Sequence, residues 1–328
     1  MKNRLLHFTF RYGTLIFIGL VILFFSLSRE AFFTFDNMMD ILRAISIVTF
    51  VAIGVTISLT VDGFDLSVGA SMSLSTVLTA TLMVWYEMPL AVVLIVPLLV
   101  GAAVGLLNAF LIVKIRIPDL LATLAVMYIV NGIHKTYTKG YSIYNNMPLQ
   151  DGTTAPGVML KPFLWIGQGK LLGVPFPVIL MVIAVAGAHV FFKYTRWGRQ
   201  MIMTGGNEEA ARLSGLRVKK VRTLAYVASA VFASIGGILF AARIGSGQID
   251  AGAPMLMDSV AAVFVGYSVF AAGRPNIIGT FFGAVLMGVM VNGLTMMNVD
   301  YYKNDIIKGI VLVLALAVTF IHLNRKRA

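Results

Sequence analysis

Ten apolar runs, most of them close to bilayer-spanning length, follow one another along this chain with little between them. They fall at residues 12–28, 44–61, 67–85, 90–113, 119–133, 173–192, 223–243, 255–272, 277–298 and 305–321, the fifth being the shortest. A helix needs about 20 apolar residues, within roughly 17–25, to cross the hydrocarbon layer. Of the 328 residues 59% are hydrophobic and only 12% charged, whereas soluble domains run at roughly 45–50% and 25%. A soluble core of this size has no room for so much apolar surface, so lipid is the solvent for most of it. Lipid offers the backbone no hydrogen bonds, which leaves helices as the economical way to cross it. The expected fold is all-α: a polytopic integral membrane protein of about ten transmembrane helices, forming one transmembrane domain over residues 1–328.

Charge sets the orientation. Lys and Arg number 26 against 14 Asp and Glu, a formal net charge of +12. In a soluble chain this excess would suggest nucleic acid. Here the basic residues sit mainly in the gaps between apolar runs, so no nucleic-acid partner is expected. With the N-terminus in the cytoplasm, Lys193, Arg196, Arg199, Arg212, Arg217, Lys219, Lys220 and Arg222 all lie in one inside loop, 193–222. The tail Arg325-Lys326-Arg327 also falls inside, and the long loop 134–172 falls outside. The reverse topology would carry the most basic loop across the membrane, against the positive-inside rule. The first run reads as an uncleaved span, because Arg29-Glu30-Ala31-Phe32-Phe33 follows it in place of a small-residue cleavage site. There is no cysteine, hence no thiol catalysis and no Cys-ligated metal. The four His (His7, His134, His189, His322) are widely scattered, and no metal site is expected.

Two segments break the apolar pattern. In Thr60-Val61-Asp62-Gly63-Phe64-Asp65-Leu66-Ser67-Val68-Gly69-Ala70 two carboxylates and two glycines interrupt the run. A charge at bilayer depth costs roughly 2.5–3.5 kcal/mol on insertion scales, so such residues face a cavity or a partner. One reading makes this a tight cytoplasmic turn with Asp65 capping the next helix. The other makes Asp62, Asp65 and Ser67 part of a translocation path. Asn108, Asp258 and Asn292 are further path candidates, along with Asn131, Ser229 and Ser234, although Ser and Asn in lipid more often tie helices together. Asp65 and Asn108 are faintly echoed by Asp258 and Asn292 in a half that runs in the opposite sense, which suggests an inverted repeat. Gly101 with Gly105, and Gly279 with Gly283, have the spacing of close helix contacts.

The second segment is Gly205-Gly206-Asn207-Glu208-Glu209-Ala210-Ala211-Arg212-Leu213-Ser214-Gly215, in the basic loop. It predicts a short helix. Asn207 can cap it, Glu208 and Glu209 suit its positive end, and Gly215 can end it. By itself such a helix can dock into a groove of another protein or rest on the membrane surface.

This segment, preceded by Trp197-Gly198-Arg199, resembles the cytoplasmic loop of the ribose-type ABC importer permeases, which import simple sugars or autoinducer-2. The family's other hallmark, Gly-Gly-Ile-Asp-Leu-Ser-Val-Gly, is matched by Asp62-Gly63-Phe64-Asp65-Leu66-Ser67-Val68-Gly69. Further echoes are Ala122-Thr123-Leu124, the stretch from Asp258 to Gly266, Asn292-Gly293-Leu294 and Ile306-Ile307-Lys308-Gly309. The resemblance covers roughly residues 45–320. It implies a multi-pass permease in a bacterial inner membrane with both termini cytoplasmic. It also implies that Gly206, Asn207, Glu208, Glu209, Ala210, Ala211, Arg212, Leu213, Ser214 and Gly215 form a coupling helix that grips an ABC ATPase subunit. A periplasmic sugar-binding protein and a second permease copy or paralogue are the other implied partners. The chain carries no Gly-x-x-x-x-Gly-Lys-Ser/Thr loop, so ATP would be bound by the separate subunit and this chain would be neither an enzyme nor a cofactor protein. Two departures stand out: Asp62 replaces a family Gly, and Tyr267-Ser268-Val269-Phe270 replaces a Gly-rich run. The competing class is an ion-coupled secondary transporter, which would need acidic residues such as Asp62, Asp65 and Asp258 along its path.

Overall fold

A computed structural model describes residues 2–149, 151–269, 273–300, 302–311 and 313, with side chains from residue 13 onward. The described part of each of the ten apolar runs falls mainly on a helix, and the fifth run gains length beyond its apolar part. The helices are α1 (Lys2–Ser28), α2 (Phe35–Thr60), α3 (Ser67–Val84), α4 (Leu90–Ala109), α5 (Asp119–Thr138), α6 (Lys161–Gln168), α7 (Phe176–Tyr194), α8 (Arg196–Gly206), α9 (Glu208–Leu213), α10 (Val218–Ile244), α11 (Gly252–Tyr267) and α12 (Ile277–Met296). Residues 302–311 continue as a tail helix. Among the described residues six helices are long and apolar enough by themselves to cross a membrane: α2, α3, α4 with its π-helical extension to Ile115, α7, α10 and α12. The predicted eighth and tenth spans run on into 270–272 and 314–321, which lie outside the described residues.

Local chemistry explains the breaks. Thr34 accepts the N–H of Asn37 and starts α2, and Asn276 accepts the N–H of Gly279 and starts α12. α4 ends in a π-helical turn (Phe110–Ile115), after which Arg116 takes a left-handed conformation at φ 69°. Pro118 then sets the direction of α5, because a proline cannot continue a preceding helix. The loop predicted at 134–172 is partly ordered. α5 runs one turn further, to Thr138, α6 follows, and Lys170–Leu171 pairs with Val174–Pro175 in a two-stranded hairpin (β1 and β2).

α2 and α3 form the centre. The apolar windows of these two helices are 83% and 89% buried, against 28% for α4 and α7, which turn most of their surface outward. α10 lies against α2, α3 and α4. Close approach depends on missing side chains. A Cβ on Gly105 would stand 2.6 Å from Tyr226 O and Val227 Cα, and one on Gly283 would run into the Ala262 carbonyl. The two glycine pairs predicted for close contact therefore serve α4 against α10 and α12 against α11.

Helix contacts also exchange between two halves. α10 meets α4 as α2 meets α12, α10 meets α3 as α2 meets α11, and α3 meets α4 as α11 meets α12. α5 lies on α3, and the tail helix reaches α11 through a Lys308–Asp258 ion pair. Helices α2–α5 thus correspond to α10–α12 plus the tail helix, as an inverted repeat requires when the two halves enter the membrane from opposite sides. The correspondence lies in helix contacts and not in polar chemistry. Asp65 pairs with α4 and α10, whereas Asp258 pairs with Lys308, and Asn292 exchanges amide hydrogen bonds with Asn37 at 2.9 and 3.1 Å.

Candidate functional site

α9 is the short helix that the basic loop predicts. Asn207 Oδ1 accepts the N–H of Ala210 at 2.9 Å, satisfying one of the N–H groups that a helix start leaves free. Glu208 and Glu209 occupy its first turn, where negative charge complements the helix dipole. Arg212 donates to Glu209 across one turn and holds that carboxyl below its ordinary pKa. Ser214 ends the helix, and Gly215 reverses the chain at φ +85°, a conformation that suits glycine. Only Ala211 is buried in this helix. Leu213 is 76% exposed, an apolar side chain held out from the molecule. The loop also holds more structure than expected, because α8 precedes α9 and α10 begins at Val218. Thr195 starts α8 by accepting the N–H of Gly198 at 3.0 Å.

The segment around Asp65 is a turn between α2 and α3; Leu66 holds the N-cap position of α3, and Asp65, one residue before it, engages the first residue of that helix. Asp65 Oδ1 accepts the N–H and the hydroxyl of Ser67 at 2.9 and 2.7 Å, and Oδ2 accepts the hydroxyl of Ser229 at 2.9 Å. The Asn108 amide donates to Ser67 Oγ at 2.7 Å and reaches Asp65 Oδ1 at 3.4 Å. All four side chains are buried. They join α3, α4 and α10 around the turn, and the donated hydrogen bonds fix the Asp65 carboxyl in place.

Six of the path candidates, Asp62, Asp65, Ser67, Asn108, Asp258 and Asn292, do not form one site. Asp65, Ser67 and Asn108 share this cluster, Asp62 is exposed on the turn, and Asp258 and Asn292 have separate partners on other helices. A cavity of about 630 Å³ opens at the other end of the molecule, lined by Trp85, Tyr86, Tyr137, Tyr141, Tyr144 and Met147 among others. None of the six candidates lines it. Ser229, weighed both as a path residue and as a helix tie, joins the cluster through the hydroxyl that it donates to Asp65, a contact no local pattern marks.

Asp62 sits at φ 58°. This is the left-handed region, which costs most residues roughly 1–2 kcal/mol and which Gly, Asn and Asp tolerate best. The family Gly at this position thus has a conformational reason, and Asp is a tolerated replacement. Asp62→Gly is expected to leave folding unchanged or to raise the thermal midpoint of the solubilised protein, whereas Asp62→Val is expected to lower it. A midpoint that falls equally in both variants would contradict this account. Of the second departure, Tyr267 lies half-buried against Phe264, with ring centres 5.3 Å apart, while Phe270 lies outside the described residues.

The connections between helices gather at two ends of the molecule. The α2–α3 turn, the start of α5, the α8–α9 segment and the start of α10 meet at one end of the molecule. At the other end His134 Nε2 bonds the carbonyl of Ile249, Lys135 pairs with Asp250, and Ile143 bridges Gly247.

A sequence profile described as the permease component of branched-chain amino acid transport systems matches residues 37–316. The chain belongs to this permease family. The permease is 36% identical over 287 residues to the ribose import permease protein RbsC of Escherichia coli K12, covering 88% of this chain and 86% of that protein. It is 33% identical over 301 residues to the ribose import permease protein RbsC of Bacillus subtilis 168, covering 91% and 90%. It is 32% identical over 307 residues to the galactose/methyl galactoside import permease protein MglC of Escherichia coli K12, covering 90% of each. No solved structure matches the permease significantly. The match spans both the Asp65 turn and the α9 loop.

Proposed function

We propose that this permease is the membrane subunit of an ABC importer that carries a sugar or sugar-like solute into a bacterial cell across the inner membrane. Ten crossings, with both termini in the cytoplasm, are part of this reading. The observation that carries it is α9: a capped six-residue helix with every residue but Ala211 exposed, its apolar end residue among them, in the most basic connector of the chain. α9 and its flanks, Gly206 to Gly215, act as the coupling helix and seat in a cleft of a separate ATPase subunit. Closure of the ATPase pair on ATP moves α9 and switches the access of the path. A periplasmic binding protein delivers the sugar at the outer face, and a second permease copy or paralogue completes the path. Relatives that import ribose and galactose make a pentose or hexose the favoured cargo.

The ion-coupled alternative has less to stand on. Asp258 is neutralised by Lys308 at 2.7 Å, Asp65 is engaged by hydrogen bonds within the chain, and Asp62 lies on an exposed turn. An ion-coupled path needs accessible ionisable groups along its length.

The exposed end of α9 supplies the test. Leu213→Asp places a charge where an apolar contact is expected, and truncating or charging such a buried anchor costs a partner interface about 2 kcal/mol or more. The variant is expected to insert normally, to lose the ATPase subunit on purification and to lose most sugar uptake. Gly215→Val, strained at positive φ, is expected to weaken uptake as well. Full retention of the ATPase by Leu213→Asp would contradict the docking assignment.

A further inference from the structure

At the cytoplasmic end, one arginine joins three helices. Arg222, in the first turns of α10, donates through Nη1 to Glu208 on α9 at 2.8 Å and through Nη2 to Asp119 Oδ2 on α5 at 2.5 Å. One turn further along α10, the hydroxyl of Tyr226 donates to the same Asp119 oxygen. Arg222 and Asp119 are largely covered, with 16% and 19% of their side chains exposed, whereas Glu208 reaches in from the exposed helix. A guanidinium suits this place because its planar fork can serve two carboxylates at once, which a lysine ammonium cannot do with fixed geometry.

The connection continues past Asp119. Thr123, on the next turn of α5, donates to the carbonyl of Phe64 at 3.0 Å and accepts the N–H of Leu66 at 3.2 Å. Both belong to the turn that Asp65 organises. Gly63 in the same turn lies against the Tyr226 hydroxyl and Asp119, where a Cβ would have no room. A second, shorter connection runs through backbone. The end of α8 lies so close to the end of α2 that a Cβ on Gly205 would strike the carbonyl of Thr60 and stand 3.0 Å from the N–H of Asp62.

We propose that the Glu208–Arg222–Asp119 triad is the joint that makes α9 and α5 move together, passing displacement of α9 to the α2–α3 turn and the Asp65 cluster. This rests on α9 being the coupling helix. Arg222 and Asp119 are positioning residues here, touching neither nucleotide nor solute. Linked carboxylates on two elements with a shared cation transmit motion because separating them leaves a covered charge without its partner. The joint is specific to these side chains, and the rest of the α9 surface stays free for the partner.

The test uses the assembled complex in proteoliposomes, with radiolabelled ribose and galactose as probes. Arg222→Gln with Asp119→Asn removes both charges together, so neither is left unpaired and the fold is spared the main penalty. Uptake per ATP hydrolysed is expected to fall by about tenfold or more, within the usual range of coupling between sites, while hydrolysis continues. Arg222→Lys, which keeps the charge but not the fork, is expected to restore part of the loss. Because the chain has no cysteine, spin labels on Ala210→Cys and Leu120→Cys report only the α9–α5 separation. That separation is expected to stay constant on ATP binding with the triad intact and to change in the double variant. Unaltered uptake per ATP in the double variant, or a label separation that changes equally with and without the triad, overturns the joint and leaves the importer assignment standing. Absence of ATP-dependent uptake by the unsubstituted complex overturns both.

Discussion

Gly105→Leu is expected to stop the protein from accumulating in a stable form, while Gly132→Leu is expected to be harmless. At position 105 even a Cβ lies 2.6 Å from Tyr226 O and Val227 Cα, which are backbone atoms that cannot turn aside. α4 would have to part from α10, and α10 is also the helix that meets α2 and α3. Overfilling a closely fitted site costs about 1–3 kcal/mol for extra methylenes and more when backbones must separate, so a loss of about 3 kcal/mol or more is expected. Gly132 on α5 has nothing within 4 Å of its Cβ position. The measurement is the yield and thermal midpoint of detergent-solubilised protein, read for both variants side by side. Equal midpoints would mean that α4 and α10 do not meet as described.

Asp65→Ala is expected to have the next largest effect. It strands the N–H and hydroxyl of Ser67 and the hydroxyl of Ser229, and it weakens the hold on the Asn108 amide, all within a buried cluster. An orphaned buried donor costs about 1–3 kcal/mol, so these losses together reach about 4 kcal/mol or more. Asp65→Asn keeps one acceptor oxygen and is expected to cost about half as much. Uptake is expected to follow stability in this pair, because the side chain organises the turn and need not touch the solute. Thermal midpoints together with uptake per folded protein separate the two roles. Asp65→Asn with normal stability but no uptake would put the carboxylate in the path.

The legible parts of the sequence were those written in periodicity and composition. The apolar runs mark the helices, since lipid permits little else. The α9 caps were legible because Asn207, the Glu pair and Gly215 each act on backbone a few residues away. The α4–α10 and α11–α12 contacts were half-legible: spacing singled out Gly101, Gly105, Gly279 and Gly283 but not the helices they would meet. What periodicity does not carry is which distant residue completes a polar group. Asp65 stood out as a carboxylate in an apolar stretch, but its partner Ser229 lies 164 positions along the chain. Asp258 and Asn292 stood out for the same reason, and their partners Lys308 and Asn37 make them ties between helices. The pairing of Asp119 with Arg222 is not legible, because a carboxylate at a helix start and an arginine in a basic loop are each ordinary alone. Only the fold, which brings the start of α5 beside the early turns of α10, makes them a pair.

ATP-driven accumulation of sugar is the property on which the account turns. The direct measurement is uptake of labelled ribose and galactose into proteoliposomes that hold the permease with its ATPase, the binding protein being supplied outside and ATP or a non-hydrolysable analogue enclosed. Accumulation above the external concentration with ATP, and none with the analogue or with an imposed proton or sodium gradient alone, is the predicted result. Accumulation driven by an ion gradient without the ATPase subunit would contradict it.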